Sequence, residues 1–278
     1  MSFPPAVDIV HSSLDFFHKT SDGQLPFIRL FNDGSGKPIL NYVLKEEVVK
    51  IENIRGKEHL YTLDTSGFQF FRCDTRHTTF ETKEDFEREY ISEAVEFTKR
   101  LTDAIKVVPF ELLQRRHTHE TDNTIAQPVK FAHIDQTAWA ALARARQNVS
   151  ADELDVLLKG RFQIINLWRP ITHAALDRPL AVCDYRSMDL EKDVVPFQLM
   201  YSDRMGELYL MKHHPRHQWK YLRGMDVGEV LVFKCYDSLD TPGLAKCSGH
   251  ASFEDPTTPD SAPLRESVEV RMLVFYGE

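Results

Sequence analysis

From Lys106 onward the chain is a succession of short apolar, β-branched segments cut by Gly, Pro and Asp: "KVVPFELL", "PVKFAHI", "RFQIINLW", "PLAVCDY", "ELYLMKH", "QWKYL", "EVLVFKCY", "HASF" and "VEVRMLVFY". Segments of this kind are the strands of an antiparallel sandwich or barrel. A parallel α/β sheet needs a helix after most strands. Here only "ADELDVLLKG", with Ser150 before it as N-cap, reads as an interposed helix. The upstream part is strand-rich too. "KPILNYVL" and "EVVKIENI" lead through "RGK" into "EHLYTL" as an expected hairpin, and "GFQFF" is a further strand. Between 82 and 105 the period changes. Phe86, Tyr90, Ala94, Phe97, Leu101 and Ile105 recur every three or four residues, which predicts one long amphipathic helix laid over a sheet. The reading is mainly β: a double-stranded β-helix (jelly-roll, cupin-like) barrel with buttressing α-helices. It forms one domain over 1–278, with N-terminal strands and the long helix in 1–120 and the jelly-roll core in 121–278.

Composition narrows the function. A net charge of −8 gives no basic face for nucleic acid. The start, "MSFPPAVDIVHSSLDFFHK", lacks the basic segment and apolar core of a secretory leader. No apolar run is long enough to span a bilayer. The cysteines, Cys73, Cys183, Cys235 and Cys247, are scattered without close pairs, as free thiols in a reducing cytosol are. The expectation is a cytoplasmic protein acting on a small molecule; its oligomeric state is not written in the sequence.

"KFAHIDQT", residues 130–137, ends an apolar run with His133 and Asp135 two apart. In extended backbone such residues point the same way. The pair alone decides little, because chance His-x-Asp is ordinary in a chain with 12 histidines. Non-haem iron oxygenases need two neutral imidazoles and one carboxylate on one face of the metal, with the other face open. The third ligand is expected downstream, on the penultimate strand across the barrel mouth, and "KCSGHASF" supplies His250 there. Beyond it, "APLRESVEV" carries Arg265 and Ser267 with one residue between them, on one face of the last strand. A guanidinium fork and a hydroxyl together bind a carboxylate, here the distal end of 2-oxoglutarate. The ordered set His133, Asp135, His250, Arg265, Ser267 is far more specific than its parts.

The chain resembles the fungal gibberellin desaturase-like family, which is also similar to the hydroxylase component of bacterial cephem methoxylation. The matching stretches are "IENIRGKEHLYTLDTSGFQF", "AHIDQT", "NLWRP", "DRPLAVCDYRS", "EVLVFKCYDS", "HASFEDP" and "RESVEVR", from about residue 50 to the end. The resemblance implies an Fe(II)- and 2-oxoglutarate-dependent dioxygenase of secondary metabolism that consumes O2 to hydroxylate, desaturate or close rings. It implies iron ligands at His133, Asp135 and His250, and the oxoglutarate arginine at Arg265. "FELLQRRHTHE" departs from the His-centred pattern expected after the long helix, which leaves His117 and His119 without an assigned role.

Other residues have competing readings. Asn166 and Arg169 of "NLWRP" are expected to line the barrel near the metal, Asn166 donating to oxoglutarate and Arg169 holding a substrate or neighbouring acid; the alternative is a loop-tying ion pair with Trp168 as core. "MKHHPRHQW" concentrates His213, His214 and His217, but Pro215 breaks ligand spacing and a solvated strand end fits better. "QRRHTHET" is either an exposed strand edge or a basic rim for an acidic substrate. Tyr236 and Asp237 read as a strand end. The N-terminal segment and a loop over 186–206 are candidate lids. Two rival functions remain: an iron oxidase that uses no 2-oxoglutarate, and a silent jelly-roll binding protein.

Overall fold

The computed structural model describes residues 8–31, 39–75, 86–119 and 126–277. In chain order the strands are β1 (Ile9–Thr20), β2 (Phe27–Arg29), β3 (Ile39–Leu40), β4 (Tyr42–Asn53), β5 (Phe68–Arg72), β6 (Lys106–Arg116), β7 (His133–Ile134) and β8 (Phe162–Pro170). Then follow β9 (Leu180–Cys183), β10 (Val194–Met200), β11 (Met205–Met211), β12 (Trp219–Tyr221), β13 (Glu229–Asp237), β14 (His250–Ser252) and β15 (Glu266–Phe275). The α-helices are α1 (Leu63–Ser66), α2 (Ile91–Thr102), α3 (Ala138–Asn148), α4 (Ala151–Leu157) and α5 (Leu190–Asp193).

The strands form two sheets. One runs β1-β4-β12-β9-β14-β7-β11-β10-β2-β3 and the other β5-β13-β8-β15-β6. The five-stranded sheet is antiparallel throughout. This is the expected mainly-β jelly roll, but the sheets face each other and do not close into a barrel.

The five-stranded sheet is covered on both faces. One face, with Ile165, Leu167, Val232, Val270 and Val274, packs under Tyr90 and Ala94 of the α2 region. The other, with Ile164, Trp168, Leu231, Phe233 and Leu273, packs against Val182 of the facing sheet and Ala141 of α3. Every residue of β8 is buried as a result. Two-sided burial is why "RFQIINLW" and "VEVRMLVFY" read as near-continuous apolar runs and not as alternation.

Four local expectations change. "EHLYTL" is not the second arm of a hairpin. A 3-10 turn over Glu58–Leu60 leads into α1, where Thr62 Oγ1 accepts from the Thr65 backbone N–H as an N-cap. The partner of β4 is β1, whose alternation of Val10, Ser12, Leu14 and Phe16 toward the interior carries a clear strand period that the reading above passed over. The long helix is shorter than predicted. Phe86–Tyr90 form a wide π-type turn, α2 stops at Thr102 because Asp103 takes a left-handed conformation, and Ile105 is exposed; residues 82–85 lie outside the described residues. Finally, 186–206 is no loop but a 3-10 turn, α5 and most of the β10–β11 hairpin, and residues 1–7 of the N-terminal segment lie outside the described residues. α3 was also missed, although Thr137 caps it by accepting from Ala140 N–H at 3.2 Å.

Leu273 is fully buried between the sheets. Replacing a buried Leu by Ala costs about 2–5 kcal/mol, so Leu273→Ala is expected to lower the urea unfolding midpoint by that equivalent, with unchanged far-UV circular dichroism after refolding.

Candidate metal centre

β7 and β14 are neighbours, and His250 pairs directly opposite His133. The third donor does not come from across the mouth, because β14 is inserted between β9 and β7 in the same sheet. The imidazole centroids lie 4.3 Å apart. Asp135 follows β7 by one residue and faces the same side as His133. One donor atom from each of His133, Asp135 and His250 lies within 4.8 Å of the others, and all three side chains are buried.

The tautomers follow from the hydrogen bonds. His133 Nδ1 lies 2.9 Å from the Phe131 carbonyl, and His250 Nδ1 lies 3.4 Å from that of Ser248. A carbonyl can only accept, so each Nδ1 carries the proton and each Nε2 turns a lone pair toward the carboxylate. His133 Nε2 is 3.4 Å from Asp135 Oδ1, and His250 Nε2 is 3.8 Å from Oδ2. Burial, and next the neighbouring His133, pushes His250 from its ordinary 6.5 down to about 3. Burial alone would raise the Asp135 carboxyl, but the Arg271 guanidinium beside it holds it well below the usual carboxylate range. Two imidazole lone pairs and a carboxylate aimed at one buried point repel unless a cation lies among them. The donor set therefore fits a divalent metal with nitrogen and oxygen preference.

Arg265 and Ser267 lie on the inward face of β15 and its N-terminal approach. The Arg265 guanidinium stacks over Trp168 at 5.6 Å and donates to the Arg178 carbonyl. Its Nε and the Ser267 hydroxyl are buried without a hydrogen-bond partner among the described residues. Burial, and next Arg115, pushes Arg265 down to about 9, so it stays charged at neutral pH. A buried cation with an orphaned donor, beside an orphaned hydroxyl, fits a carboxylate ligand.

The remaining predicted residues divide. Asn166 reaches the centre, but its Nδ2 donates to Asp135 Oδ2 at 2.6 Å and to Glu269 Oε1 at 3.2 Å, which corrects its expected role toward oxoglutarate. Arg169 lies away from the centre. It donates to the Cys73 and Val227 carbonyls, on the face of β8 turned toward α2, because odd-numbered residues of that strand point there. His117 Nδ1 bonds Asp177 at 2.5 Å, and its backbone N–H holds the Arg265 carbonyl. His119 packs edgewise on His117. His213 packs edgewise on Phe16, while buried His217 ties to Asp193 at 2.9 Å. Asp237 binds Arg161, Gln163 and Lys234 at a strand end.

The sequence reading missed Glu111, Glu269 and Arg271. A cavity of about 290 Å³ opens beside His133 and Asp135, bordered by Glu111, Arg115, Phe131, Trp139, Arg144 and Tyr201. A larger recess of about 490 Å³ lies against α2 and holds none of these donors. The signal for Glu269 and Arg271 was present: they continue the two-residue spacing of Arg265 and Ser267 along one strand face.

Two imidazoles and a carboxylate between the sheets of a jelly roll define the class of non-haem iron oxygenases. Comparison with known proteins agrees. Residues 14–275 match a family model described as an oxidoreductase/YMDC permease-like domain. The chain is 32% identical to the hydroxylase/desaturase efuI of Hormonema carpetanum, over 97% of this chain and 96% of that one. It is 31% identical to the Fe(II)/2-oxoglutarate-dependent dioxygenase nvfI of Aspergillus novofumigatus, over 87% and 88%. A solved structure of the iron and alpha-ketoglutarate-dependent endoperoxidase NvfI superposes with a TM-score of 0.85 at 26% identity, covering 98% of this chain and 99% of that one. The chain belongs to this fungal hydroxylase/desaturase family of Fe(II)/2-oxoglutarate-dependent dioxygenases. It is an oxidoreductase.

The metal-free centre makes acid destabilising. His250 takes its proton near 6.5 when unfolded but only near 3 when folded. The unfolded chain therefore binds more protons in that window, and stability rises with pH there. Asp135, depressed in the fold, acts in the same direction below the unfolded carboxyl value. Urea midpoints of metal-free protein are expected to fall steadily as the pH is lowered from 7.5 toward 4, with a shallower slope in His250→Gln.

Proposed function

We propose that His133, Asp135 and His250 hold iron(II), and that Arg265 and Ser267 anchor the distal carboxylate of 2-oxoglutarate. The substrate is a small molecule of secondary metabolism seated in the cavity beside His133 and Asp135. The reaction oxidises an unactivated C–H bond, by hydroxylation, desaturation or ring closure. The observation that carries this reading is the convergence of three buried donors, two of them imidazoles with free Nε2 lone pairs.

Iron with 2-oxoglutarate and O2 supplies, when bound, the oxidising power, and 2-oxoglutarate leaves as succinate and carbon dioxide. The chain itself does the rest. His133 and His250 present unprotonated nitrogens because their Nδ1–H groups are held by carbonyls. Asp135 contributes one negative charge to the metal. Arg265 offers a charged donor and Ser267 a neutral one to a single carboxylate, and Trp168 fixes the guanidinium plane. Phe131 packs its ring 4.8 Å from His133 and closes one side of the cavity. Trp139, half exposed on α3, and Tyr201, at the β10–β11 turn, stand at the rim.

We read residues 1–278 as one oxygenase domain, since β1 and β4 share a sheet with β7 and β14. Four free thiols support a cytoplasmic setting. Among the described residues no helix is long and apolar enough to cross a membrane, and we expect neither a nucleic-acid nor a membrane partner.

The test is 2-oxoglutarate titration calorimetry on the Mn(II)-loaded protein, with succinate measured after aerobic turnover. Arg265→Ala is expected to weaken 2-oxoglutarate roughly 10- to 100-fold, the loss of about 1.5–3 kcal/mol from a charged hydrogen bond. Unchanged affinity would refute the role of Arg265. Product formed without stoichiometric succinate would favour an oxidase that needs no 2-oxoglutarate, and a protein that binds neither metal nor 2-oxoglutarate would be a silent binding module.

A further inference from the structure

Arg271 lies on the inward face of β15, two residues before fully buried Leu273 and four before Phe275. A cation at such a position is costly unless each donor is engaged. Here three nitrogens of the guanidinium each meet a different carboxylate. Nε donates to Glu269 Oε1 at 2.7 Å, Nη1 to Glu111 Oε2 at 3.0 Å and Nη2 to Asp135 Oδ1 at 3.2 Å.

The register of the sheet builds this arrangement. Arg271 pairs with Glu111 on β6 and with Asn166 on β8. A bulge after Arg271 sets it opposite Glu111 and the next residue, Met272, opposite Pro109, which has no N–H to offer the ladder. Asn166, held by the same register, donates to the other oxygen of Asp135. Asp135 Oδ1 thus takes a donor from Arg271, and Oδ2 takes one from Asn166 and a longer contact from the Cys235 thiol at 3.6 Å, all from the five-stranded sheet, while the carboxylate itself hangs from the ten-stranded one. The charges agree with a function beyond packing. Three carboxylates surround one guanidinium, leaving two negative charges that a divalent cation at Asp135 would neutralise.

We infer that Arg271 is the positioning residue of the metal centre: with Asn166, it fixes the plane of the Asp135 carboxylate so that only the lone pairs facing His133 and His250 remain for the ion. The inference rests on the metal reading proposed above. Arg271 acts through Asp135 and is not itself a ligand. Partners that orient a metal-binding carboxylate in this way carry roughly 10- to 100-fold in metal affinity.

The experiment is anaerobic Co(II) titration of the full chain, followed by the visible d–d absorption, on wild type, Arg271→Lys, Arg271→Gln, Glu111→Gln and His133→Ala. Lysine keeps the charge but has no fork for three carboxylates, and glutamine keeps a donor without the charge; whichever variant retains the wild-type circular dichroism and urea midpoint of the metal-free protein supplies the reading. That variant is expected to bind Co(II) about 10- to 100-fold more weakly, with a shifted band. Glu111→Gln leaves the bond to Asp135 in place and is expected to stay within about threefold of wild type, well short of the loss set by the orienting partner. A folded Arg271 variant with the wild-type dissociation constant and band overturns the inference and leaves the metal reading intact. A wild type that gives no Co(II) band, or one that His133→Ala does not abolish, overturns the metal reading and the inference with it.

Discussion

Two unprotonated imidazole nitrogens and an ionised carboxylate crowd one buried point between the sheets. Without a cation this is an electrostatic conflict, and much of the fold is arranged to sustain it. The direct pairing of His133 with His250 fixes the backbone positions from which the two imidazoles project. The carbonyls of Phe131 and Ser248 fix the protons on the far ring nitrogens. The facing sheet clamps the carboxylate by Arg271 and Asn166. These restraints hold the three donors in place ready for an ion.

How much of this was legible depended on whether the signal was local. The candidate donor set stood out because its chemistry is rare in combination: a His-x-Asp, a late histidine, then Arg-x-Ser. The strands of the second half were readable because their ends are marked by Gly, Pro and Asp. Arg169 was misassigned because "NLWRP" does not reveal which parity of residues faces the centre. Both faces of β8 are buried, so the alternation that normally gives the answer is erased. Asn166 has the right parity, but its partner is a carboxylate 31 residues earlier on the other sheet, a pairing no local pattern announces. "EHLYTL" failed for the opposite reason. Its β propensity is real, but the Thr62 cap and the stacking of Tyr61 on Phe68 at 5.3 Å won the segment for turns.

The hydrogen bonds around Arg265 give the proposed cosubstrate end of the site the same character. Its backbone N–H is held by Asp177 and its carbonyl by the His117 N–H, while its guanidinium lies over Trp168. Main chain and side chain are thus tied separately, and the unsatisfied polar atoms, Arg265 Nε and Ser267 Oγ, are left facing the interior. Placing orphaned donors on so restrained a segment makes sense only if a ligand completes them. The departure at "QRRHTHE" has a structural counterpart: the His117 backbone N–H holds the carbonyl of Arg265.

The two sheets divide the work in a way that accounts for one fold supporting several oxidations. The five-stranded sheet, packed on both faces, carries Ser267, Asn166, Glu269 and Arg271, with Arg265 one residue before β15. Such a sheet resists change, because a shift of one strand would turn its inward charges toward the apolar face under α2. The ten-stranded sheet carries the ligands near its middle, with the cavity rim beside them, at the β10–β11 turn and on α3. Rim residues such as Trp139 and Tyr201 lie on or next to short, exposed connections, which tolerate substitution far better than a two-sided core does. Substrate choice can therefore vary at the rim while the proposed metal ligands, their clamp and the proposed cosubstrate anchor stay fixed. Relatives described as hydroxylase/desaturase and as endoperoxidase, sharing this fold at about a quarter to a third identity, are what such a division allows.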